Sequence, residues 1–437
     1  MSLTKQANKE RIDKINKRVD FESLLKIDET VKEIILNVKN QGDIALKEYS
    51  EKFDNFAIDL NLKKPFLVQN SKPEIDNKLK EALSLASKRI EAFHKEDLKQ
   101  FDPETWTFTG EHQERLGAKQ EAIEAVAVYI PGGNAPLVST LMMTAIPAQV
   151  AGVKRIALFS PPPINDAILY LAQELGINEI YQIGGAQAVA AAAFGTQSIE
   201  KFDKIVGPGN IYVSEAKKLL NGFIGIDGIY GPSELAILAD ETASIKKLAI
   251  DLLSQLEHGS GLESTLLVST QEKLVDQIKL ELDQQIEAIN YSDKEKETIQ
   301  HSIANWSEFI YTDNFNEAIE LINYYAPEHL ELQLNTKNLE TALAGIKNAG
   351  AIFIGQNSCE SLGDYLAGPS HCLPTAGSAR FSSGLQVSDF FKKTSIIDFS
   401  QSTNIQDLIE NTAKIARAEG LEAHARAAEY RLDNDKN

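Results

Sequence analysis

The chain has little cysteine, no excess of positive charge and no long uninterrupted apolar run. Cys359 and Cys372 are the only cysteines among 437 residues, which excludes a disulfide scaffold and is typical of a reducing compartment such as the cytoplasm. The formal net charge of -19 argues against nucleic acid or an anionic membrane as the main partner. The uncharged stretch 125–153 is interrupted by prolines and glycines, so we expect no membrane span.

The complete G-x-G-x-x-G fingerprint of dinucleotide-binding folds is also absent. In its place, three strand–glycine–helix units follow one another: VYIPGGNAPLVST, IGGAQAVAAAAFG and IVGPGNIYVSEAKK. Each unit exposes backbone N–H groups at a helix start, an arrangement that suits a phosphate or another anion. Any single unit serves equally well as a tight turn without a ligand, but three in succession favour a nucleotide.

Short apolar segments rich in Val, Ile and Phe alternate with helical segments over most of the chain. Nine of them are predicted as strands: AVAVYI, RIALFS, EIYQI, KIVG, ELAILA, STLLVS, EFIYT, LELQL and AIFIG. This alternation predicts βαβ units and a parallel or mixed sheet. Nine strands are too many for one compact sheet, so we predict two α/β domains. The Gly-, Ser- and Pro-rich segment after Gly355 is predicted as a long functional loop, followed by one or two exposed helices.

Several of the seven histidines lie beside glycine turns or acidic residues, whereas His94, His112 and His301 are expected at the surface. In LLSQLEHGS, Gln255 and His258 are three residues apart on a predicted helix that ends at Gly259, so both side chains face one way. Two further pairs follow in GDYLAGPSH and EGLEAH: Asp364 with His371, and Glu419 with His424. Such nitrogen and oxygen ligands suit Zn²⁺ with positions open for substrate. The spacing permits convergence without establishing it, and solvated helix faces are the alternative.

The segment YYAPEHLEL sets a carboxylate, Glu328, directly beside an imidazole, His329, just after a proline. The alternation in LELQL predicts a strand that follows this pair. At the entry of a strand the backbone turns, and neighbouring side chains can then face the same pocket. We therefore predict that the two proton-handling groups belong to one active site.

Eight ordered blocks resemble the histidinol dehydrogenase family and cover nearly the whole chain. They are VAVYIPGGNAPLVSTLMMTAIPAQVAGV, GGAQAVAAAAFGT, KIVGPGNIYVSEAKK, GPSELAILAD, LLSQLEHG, APEHLEL, GDYLAGPSHCLPT and EGLEAH. The resemblance implies the last steps of histidine biosynthesis, in which L-histidinol is oxidised to L-histidine through L-histidinaldehyde with two NAD⁺. It implies a cytoplasmic homodimer with shared active sites and one Zn²⁺ per subunit.

The fold that the resemblance implies is α/β, with two incomplete Rossmann-like domains and additional N- and C-terminal helical segments. Residues 1–25 would form the N-terminal helical segment. Residues 26–124 and 233–375 would form the first, discontinuous domain, and residues 125–232 the second, NAD-binding domain. Residues 376–437 would form a helical tail that contributes to the partner subunit's site.

The resemblance also assigns roles to particular residues. Glu328 and His329 match the family's catalytic pair, with His329 as general base and Glu328 activating water. The matched zinc ligands are Gln255, His258, Asp364 and His424, the last contributed across the dimer. These four, together with His329, also match substrate-contacting positions, and the further substrate positions are Ser233, His371 and Glu419. The matched NAD contacts are Tyr129, Gln187 and Asn210.

Other functions remain open at this stage. Cys372 or Cys359 could form a thiohemiacetal with an aldehyde, since Cys372 directly follows His371. A zinc-dependent hydrolase could use Glu328 and His329 to activate water without any nucleotide. A binding module without catalysis would leave the clustered proton-handling groups without a purpose.

Overall fold

The computed structural model describes residues 3–18, 21–68, 71–132 and 137–432. The chain forms two compact units. The larger consists of Met1–Phe101 and Ile123–Phe390, and the smaller of Asp102–Ala122 and Phe391–Asn437. Among the described residues, every helix is too short or too polar to cross a membrane.

Helices and strands alternate along most of the chain. The helices are α1 (Leu3–Asn16), α2 (Phe21–Gln41), α3 (Asp43–Asp54), α4 (Asn77–Phe101), α5 (Val138–Val150), α6 (Asp166–Glu174), α7 (Gly185–Phe194), α8 (Ile211–Leu220), α9 (Ile245–Leu256), α10 (Glu272–Ala288), α11 (Asp293–Trp306), α12 (Phe315–Tyr325), α13 (Thr336–Gly345), α14 (Glu360–Tyr365), α15 (Gln406–Ala418) and α16 (Glu422–Glu429). The strands are β1 (Trp106–Thr109), β2 (Arg115–Ala122), β3 (Ala125–Tyr129), β4 (Arg155–Ser160), β5 (Glu179–Gln182), β6 (Lys204–Val206), β7 (Gly225–Ile226), β8 (Glu234–Ala239), β9 (Ser264–Ser269), β10 (Ser307–Tyr311), β11 (His329–Gln333), β12 (Ala351–Ile354) and β13 (Phe391–Asp398).

The first parallel sheet of the larger unit has the strand order β5-β4-β3-β6-β7. Counted from its own first strand this order is 3-2-1-4-5, the Rossmann order without the sixth strand. Helix α7 is rich in buried alanines, which allow it to lie close to the sheet and to its neighbouring helices. Helices α2 and α3 contribute to the same core, together with α8.

The second parallel sheet has the order β10-β9-β8-β11-β12, which is again 3-2-1-4-5. Its strands are buried on both faces in the centre, as expected for a parallel sheet covered by helices. All nine predicted strands are present, and the prediction of two incomplete Rossmann-like sheets is confirmed. Helix α1 packs on this sheet through Ile12 and Ile15.

The packing of the N-terminal helices differs from the sequence-based assignment of residues 26–124 to the first domain. Residues 31–66 pack instead into the core of the sheet that begins with β3. An amphipathic pattern shows that a helix packs its apolar face on a sheet. It does not show which sheet, because both sheets of this chain present an apolar surface. The helical stretch that follows α1 is also divided at Gly42, whose φ of 57° favours glycine.

The smaller unit contains an antiparallel sheet with the order β1-β2-β13, and helices α15 and α16. These three strands were not predicted, because they are mostly exposed and polar and lack an apolar run. The predicted helical tail from residue 376 therefore contains a strand, and residues 376–390 belong to the larger unit. The predicted loop after Gly355 contains the short helix α14, which was also missed.

Candidate active site

The pair Glu328 and His329 lies where β11 begins, as the alternation of LELQL predicts. Helix α12 ends at Tyr325, and Ala326 adopts a left-handed conformation with a φ of 54°. Pro327 then leads into the strand. Glu328 is 6% exposed and His329 4%, and His329 Nδ1 lies 3.8 Å from Glu328 Oε2. The turn at the strand entry thus brings two neighbouring side chains into one buried site.

One peptide segment of β8 holds both side chains. The backbone N–H of Glu234 donates to Glu328 Oε2 at 2.9 Å. The backbone carbonyl of Glu234 lies 3.2 Å from His329 Nδ1, and a carbonyl can only accept, so Nδ1 carries the proton. His329 Nε2 therefore keeps its lone pair. Within the described part of the chain this buried atom has no hydrogen-bond partner.

Burial sets the protonation of the pair. It lowers the pKa of His329 to about 4, although the nearby Asp364 carboxylate opposes this shift. Burial also raises the pKa of Glu328 well above its ordinary value, and the Glu234 carboxylate adds to this effect. A neutral imidazole is ready to accept a proton, and a carboxylate of raised pKa is a stronger base once ionised. The pair is arranged for acid–base chemistry.

The side chain of Glu234 is itself fixed by a buried ion pair. Its carboxylate pairs with Arg18, which follows α1, and accepts a hydrogen bond from the Ala376 N–H at 2.9 Å. Arg18 also donates to the Leu262 carbonyl at 2.9 Å and more weakly to the carbonyls of Pro232 and Ser233. Arg18 thereby orders the start of β8, whose Glu234 peptide holds Glu328 and His329.

Gln255 and His258 lie at the end of α9. The helix ends at Leu256 rather than at Gly259 as predicted, so His258 occupies the turn that follows. His258 Nδ1 still lies 3.0 Å from the Gln255 carbonyl, and this hydrogen bond leaves Nε2 free. Gln255 is fully buried, and neither of its side-chain polar atoms has a partner among the described residues. A histidine that donates its other ring nitrogen to a carbonyl is the common arrangement of a metal ligand.

Asp364 of α14 lies beside His329, with Asp364 Oδ1 3.8 Å from His329 Nε2. The Asp364 carbonyl lies 3.1 Å from His371 Nδ1, and His371 Nε2 lies 3.2 Å from the Thr140 hydroxyl. Burial lowers the pKa of His371, opposed by the charge of Asp364, and the charge of His258 lowers it further. The charges of Asp364, His371 and His258 act on His329 as well. These three side chains and His329 therefore surround one region.

The donor set of this region fits a borderline metal ion such as Zn²⁺. His258 supplies an imidazole and Asp364 a carboxylate, and the buried amide of Gln255, three residues before His258, has no partner in the described structure. No three His, Cys, Asp or Glu side chains form a ready metal cluster within the described ranges. Ser233 is half-buried just before β8. Glu419 and His424 are exposed residues of the smaller unit, and their roles remain predictions.

A cluster of buried carboxyls next to the pair was missed by sequence reasoning. Glu331 Oε1 accepts the backbone N–H of Glu360 at 3.0 Å, and the charge of the Asp251 carboxylate acts on Glu331. Glu360 Oε1 lies 3.5 Å from His329 Nδ1. Burial raises the pKa of Glu331 to about 9, and the charge of Asp251 adds to this effect. The sequence does carry one sign of this cluster, because Glu331 is a charged residue inside the predicted strand LELQL.

Tyr129, Gln187 and Asn210 line one cavity of about 780 Å³ at the carboxyl ends of β3, β4 and β6. The Gly185 N–H donates to the Tyr129 hydroxyl at 3.0 Å. Asn210 caps α8 by accepting from two backbone N–H groups at 3.1 Å each. This is the edge of a Rossmann sheet at which dinucleotides bind. The three predicted residues thus meet at a place that suits a dinucleotide.

Close approach explains the glycines of this cavity. A β-carbon at Gly132 or Gly184 would collide with Pro161, and one at Gly207 with the Tyr129 carbonyl. The Gly207 N–H also donates to Asp227 Oδ2 at 2.7 Å. Asp227 is in turn held by a buried ion pair with Lys217. Glycines are therefore required where the three turns converge.

Cys372 does not have the surroundings of a nucleophile. Cys372 is buried, and burial raises the pKa of its thiol well above the ordinary value. A thiol that stays protonated is a poor nucleophile. Cys359 occupies the N-terminal cap position of α14 and is partly exposed. The structure therefore disfavours a thiohemiacetal at Cys372.

A Rossmann-type sheet with a large cavity, together with a separate buried acid–base pair, is the organisation of an NAD-linked dehydrogenase. The comparisons narrow this class. The sequence model of the family "Histidinol dehydrogenase" matches residues 17–432, and the chain belongs to the histidinol dehydrogenase family.

Two relatives and one solved structure illustrate the similarity. Histidinol dehydrogenase of Prochlorococcus marinus (strain MIT 9312) is 42% identical over 97% of this chain and 95% of its own length. That of Bacillus subtilis (strain 168) is 43% identical over 92% of each chain. The crystal structure of histidinol dehydrogenase from Elizabethkingia anophelis matches with a TM-score of 0.82 and 36% identity, covering 94% of this chain and 93% of that one.

Proposed function

We propose that this protein oxidises L-histidinol to L-histidine through L-histidinaldehyde, at the end of histidine biosynthesis. One observation carries the proposal. The Glu234 peptide holds Glu328 and His329 together and leaves His329 Nε2 neutral and unpartnered among the described residues. Two successive oxidations of one carbon need a reusable base and a group that activates water, and the pair supplies both. NAD⁺ would accept two hydrides, one in each oxidation.

In the first oxidation, His329 Nε2 accepts the hydroxyl proton of the substrate as hydride leaves the same carbon. An alcohol is too weak an acid to ionise unaided at neutral pH, so a neutral imidazole in contact with it is the required base. In the second, Glu328 removes a proton from water as it adds to the aldehyde. His329 then takes the hydroxyl proton of the hydrate as the second hydride leaves, which gives the carboxylate.

The residues around the pair would hold the substrate. Gln255, His258 and Asp364, with His424 across a homodimer, would hold Zn²⁺, which would anchor and orient the imidazole and amine of histidinol. Ser233, His371 and Glu419 would contact its polar groups. Tyr129, Gln187 and Asn210 would contact NAD⁺. A cytoplasmic location would suit this pathway, and the unpaired Cys359 and Cys372 support it.

The division of labour is tested by two variants. We expect Glu328→Gln to slow the oxidation of histidinaldehyde far more than that of histidinol, because only the second oxidation needs water. His329→Asn should slow both, because the base acts in each. Separate rates with the two substrates decide this, and equal losses for Glu328→Gln in both reactions would contradict the assignment. A zinc hydrolase, the alternative, would leave the dinucleotide cavity without a purpose.

A further inference from the structure

The first sheet lacks a carboxylate where dinucleotide-binding sheets normally carry one. In such sheets an acidic residue about 20 residues beyond the glycine turn binds the hydroxyls of the adenosine ribose. Here that place falls on β4 and its flanks. The segment 150–163 reads VAGVKRIALFSPPP and contains no Asp or Glu. The chain must recognise the ribose in another way, or not at all.

Asp54 supplies a carboxylate to this place from outside the sheet. It is the last residue of α3, which packs on the same core. Asp54 lines the cavity together with Tyr129 and Pro161, the residue that directly follows β4. Asp54 Oδ2 is shielded from water and has no hydrogen-bond donor within the described residues. A ligand with hydroxyl groups would provide the missing donors.

The charge of the cavity points to the same ligand. Among the described residues that line it, Asp54 carries the only charged side chain, and none is Lys, Arg or His. Sites that accept a 2′-phosphate use a nearby arginine. A phosphate group would instead meet the Asp54 carboxylate in a partly buried site, where like charges repel strongly. Burial also raises the pKa of Asp54, as expected for a partly buried carboxylate whose Oδ2 accepts no hydrogen bond from the described residues.

We propose that Asp54 binds the vicinal hydroxyls of the adenosine ribose and makes the site select NAD⁺ over NADP⁺. This inference rests on the proposed NAD-linked function and deepens it. Asp54 acts in binding and coenzyme choice, and it takes no part in proton transfer.

The experiment compares the full-length protein with Asp54→Asn, Asp54→Ser and a control, Glu51→Gln. Glu51 lies on the same helix, is exposed and pairs with Lys47, so the control removes the same charge away from the cavity. Calorimetric titration measures binding of NAD⁺ and NADP⁺ separately, without turnover. Steady-state rates with histidinol and each coenzyme give a second readout. Thermal unfolding verifies that each variant is folded.

We expect wild-type protein and Glu51→Gln to bind NAD⁺ at least about tenfold more tightly than NADP⁺. Asp54→Ser should lose at least about tenfold in NAD⁺ affinity, as expected for charge-assisted hydrogen bonds. The ratio of the NAD⁺ affinity to the NADP⁺ affinity should fall by at least as much. Asp54→Asn should narrow the ratio with a smaller loss of NAD⁺ affinity, because an amide can still accept. The same ratios should appear in kcat/KM.

The inference is overturned if both Asp54 variants keep the wild-type NAD⁺/NADP⁺ ratio while wild-type protein oxidises histidinol with NAD⁺. It is also overturned if they lose affinity for both coenzymes equally. Wild-type protein that binds no NAD⁺ and reduces none would refute the proposed function as well, so the two failures are distinguishable.

Discussion

Replacing Arg18 by methionine removes the cation that faces Glu234 in the interior while keeping most of the volume of the side chain. Glu234 is fully buried, and its other hydrogen-bond partner is the Ala376 N–H. Glu234 Oε2 has no partner in the described structure. The variant therefore leaves one carboxylate without charge compensation, at the strand entry whose peptide holds Glu328 and His329.

The expected loss of unfolding free energy is about 3–5 kcal/mol, the usual cost of breaking a buried pair from one side. Burial already raises the pKa of Glu234, and the charge of Arg18 opposes this. Without Arg18 the pKa of Glu234 rises further, which favours its protonated form and keeps the loss towards the lower end of that range. A shift of the Glu234 peptide would also disturb both catalytic side chains, so we expect kcat to fall by at least about tenfold.

Urea unfolding and kcat with histidinol measure the two effects. The double variant Arg18→Met with Glu234→Gln removes both charges and should recover most of the lost stability. Arg11→Met is the control on α1, since Arg11 pairs with Glu308 near the surface and should cost about 1 kcal/mol or less. The reasoning is refuted if Arg18→Met costs no more than Arg11→Met, or if the double variant is as unstable as the single one.

Three further predictions concern the carboxyl cluster, the glycine turn and the buried thiol. Burial raises the pKa of Glu331 to about 9, from an ordinary value of 4.5. Its contribution to the stability of the fold is therefore fully present below pH 4.5 and is lost as the pH rises towards 9. Glu331→Gln should flatten the decline of Tm between about pH 6 and 9; an unchanged decline would contradict the assignment. Gly207→Ala should cost at least about 2 kcal/mol in urea unfolding, because its φ is 109° and a β-carbon meets the Tyr129 carbonyl. Gly152→Ala, with a φ of 87° and open space around it, should cost only about 1 kcal/mol, and equal costs would exclude the collision. Cys372→Ser should keep kcat within about twofold, whereas loss of a covalent nucleophile costs orders of magnitude and would revive the thiol mechanism.

The sequence predicts the two parallel sheets well, because buried parallel strands are continuous apolar segments. RIALFS and STLLVS are strands over the predicted residues. Exposed antiparallel strands such as β1 carry no such run, and their pairing depends on partners far along the chain. The sequence likewise cannot tell which sheet α2 and α3 cover, since that choice depends on tertiary packing.

The candidate site shows the same limit. The adjacency of Glu328 and His329 is visible in the sequence, and so is the strand that follows. The support from Arg18 and the Glu234 peptide is invisible, because it depends on backbone groups more than 90 residues away from the pair. A backbone N–H or carbonyl has no residue type, so no motif records it. The place of Asp54 beside the cavity also follows only from the packing of α3.

The most direct test of the proposed function is the yield of NADH from L-histidinol. Purified protein is stripped with a chelator, supplied with excess NAD⁺ and limiting L-histidinol, and assayed before and after Zn²⁺ is restored. The account predicts no turnover without metal, and two NADH with one L-histidine per L-histidinol once Zn²⁺ is present. One NADH per L-histidinol with release of the aldehyde, or full turnover in the stripped protein, would contradict it.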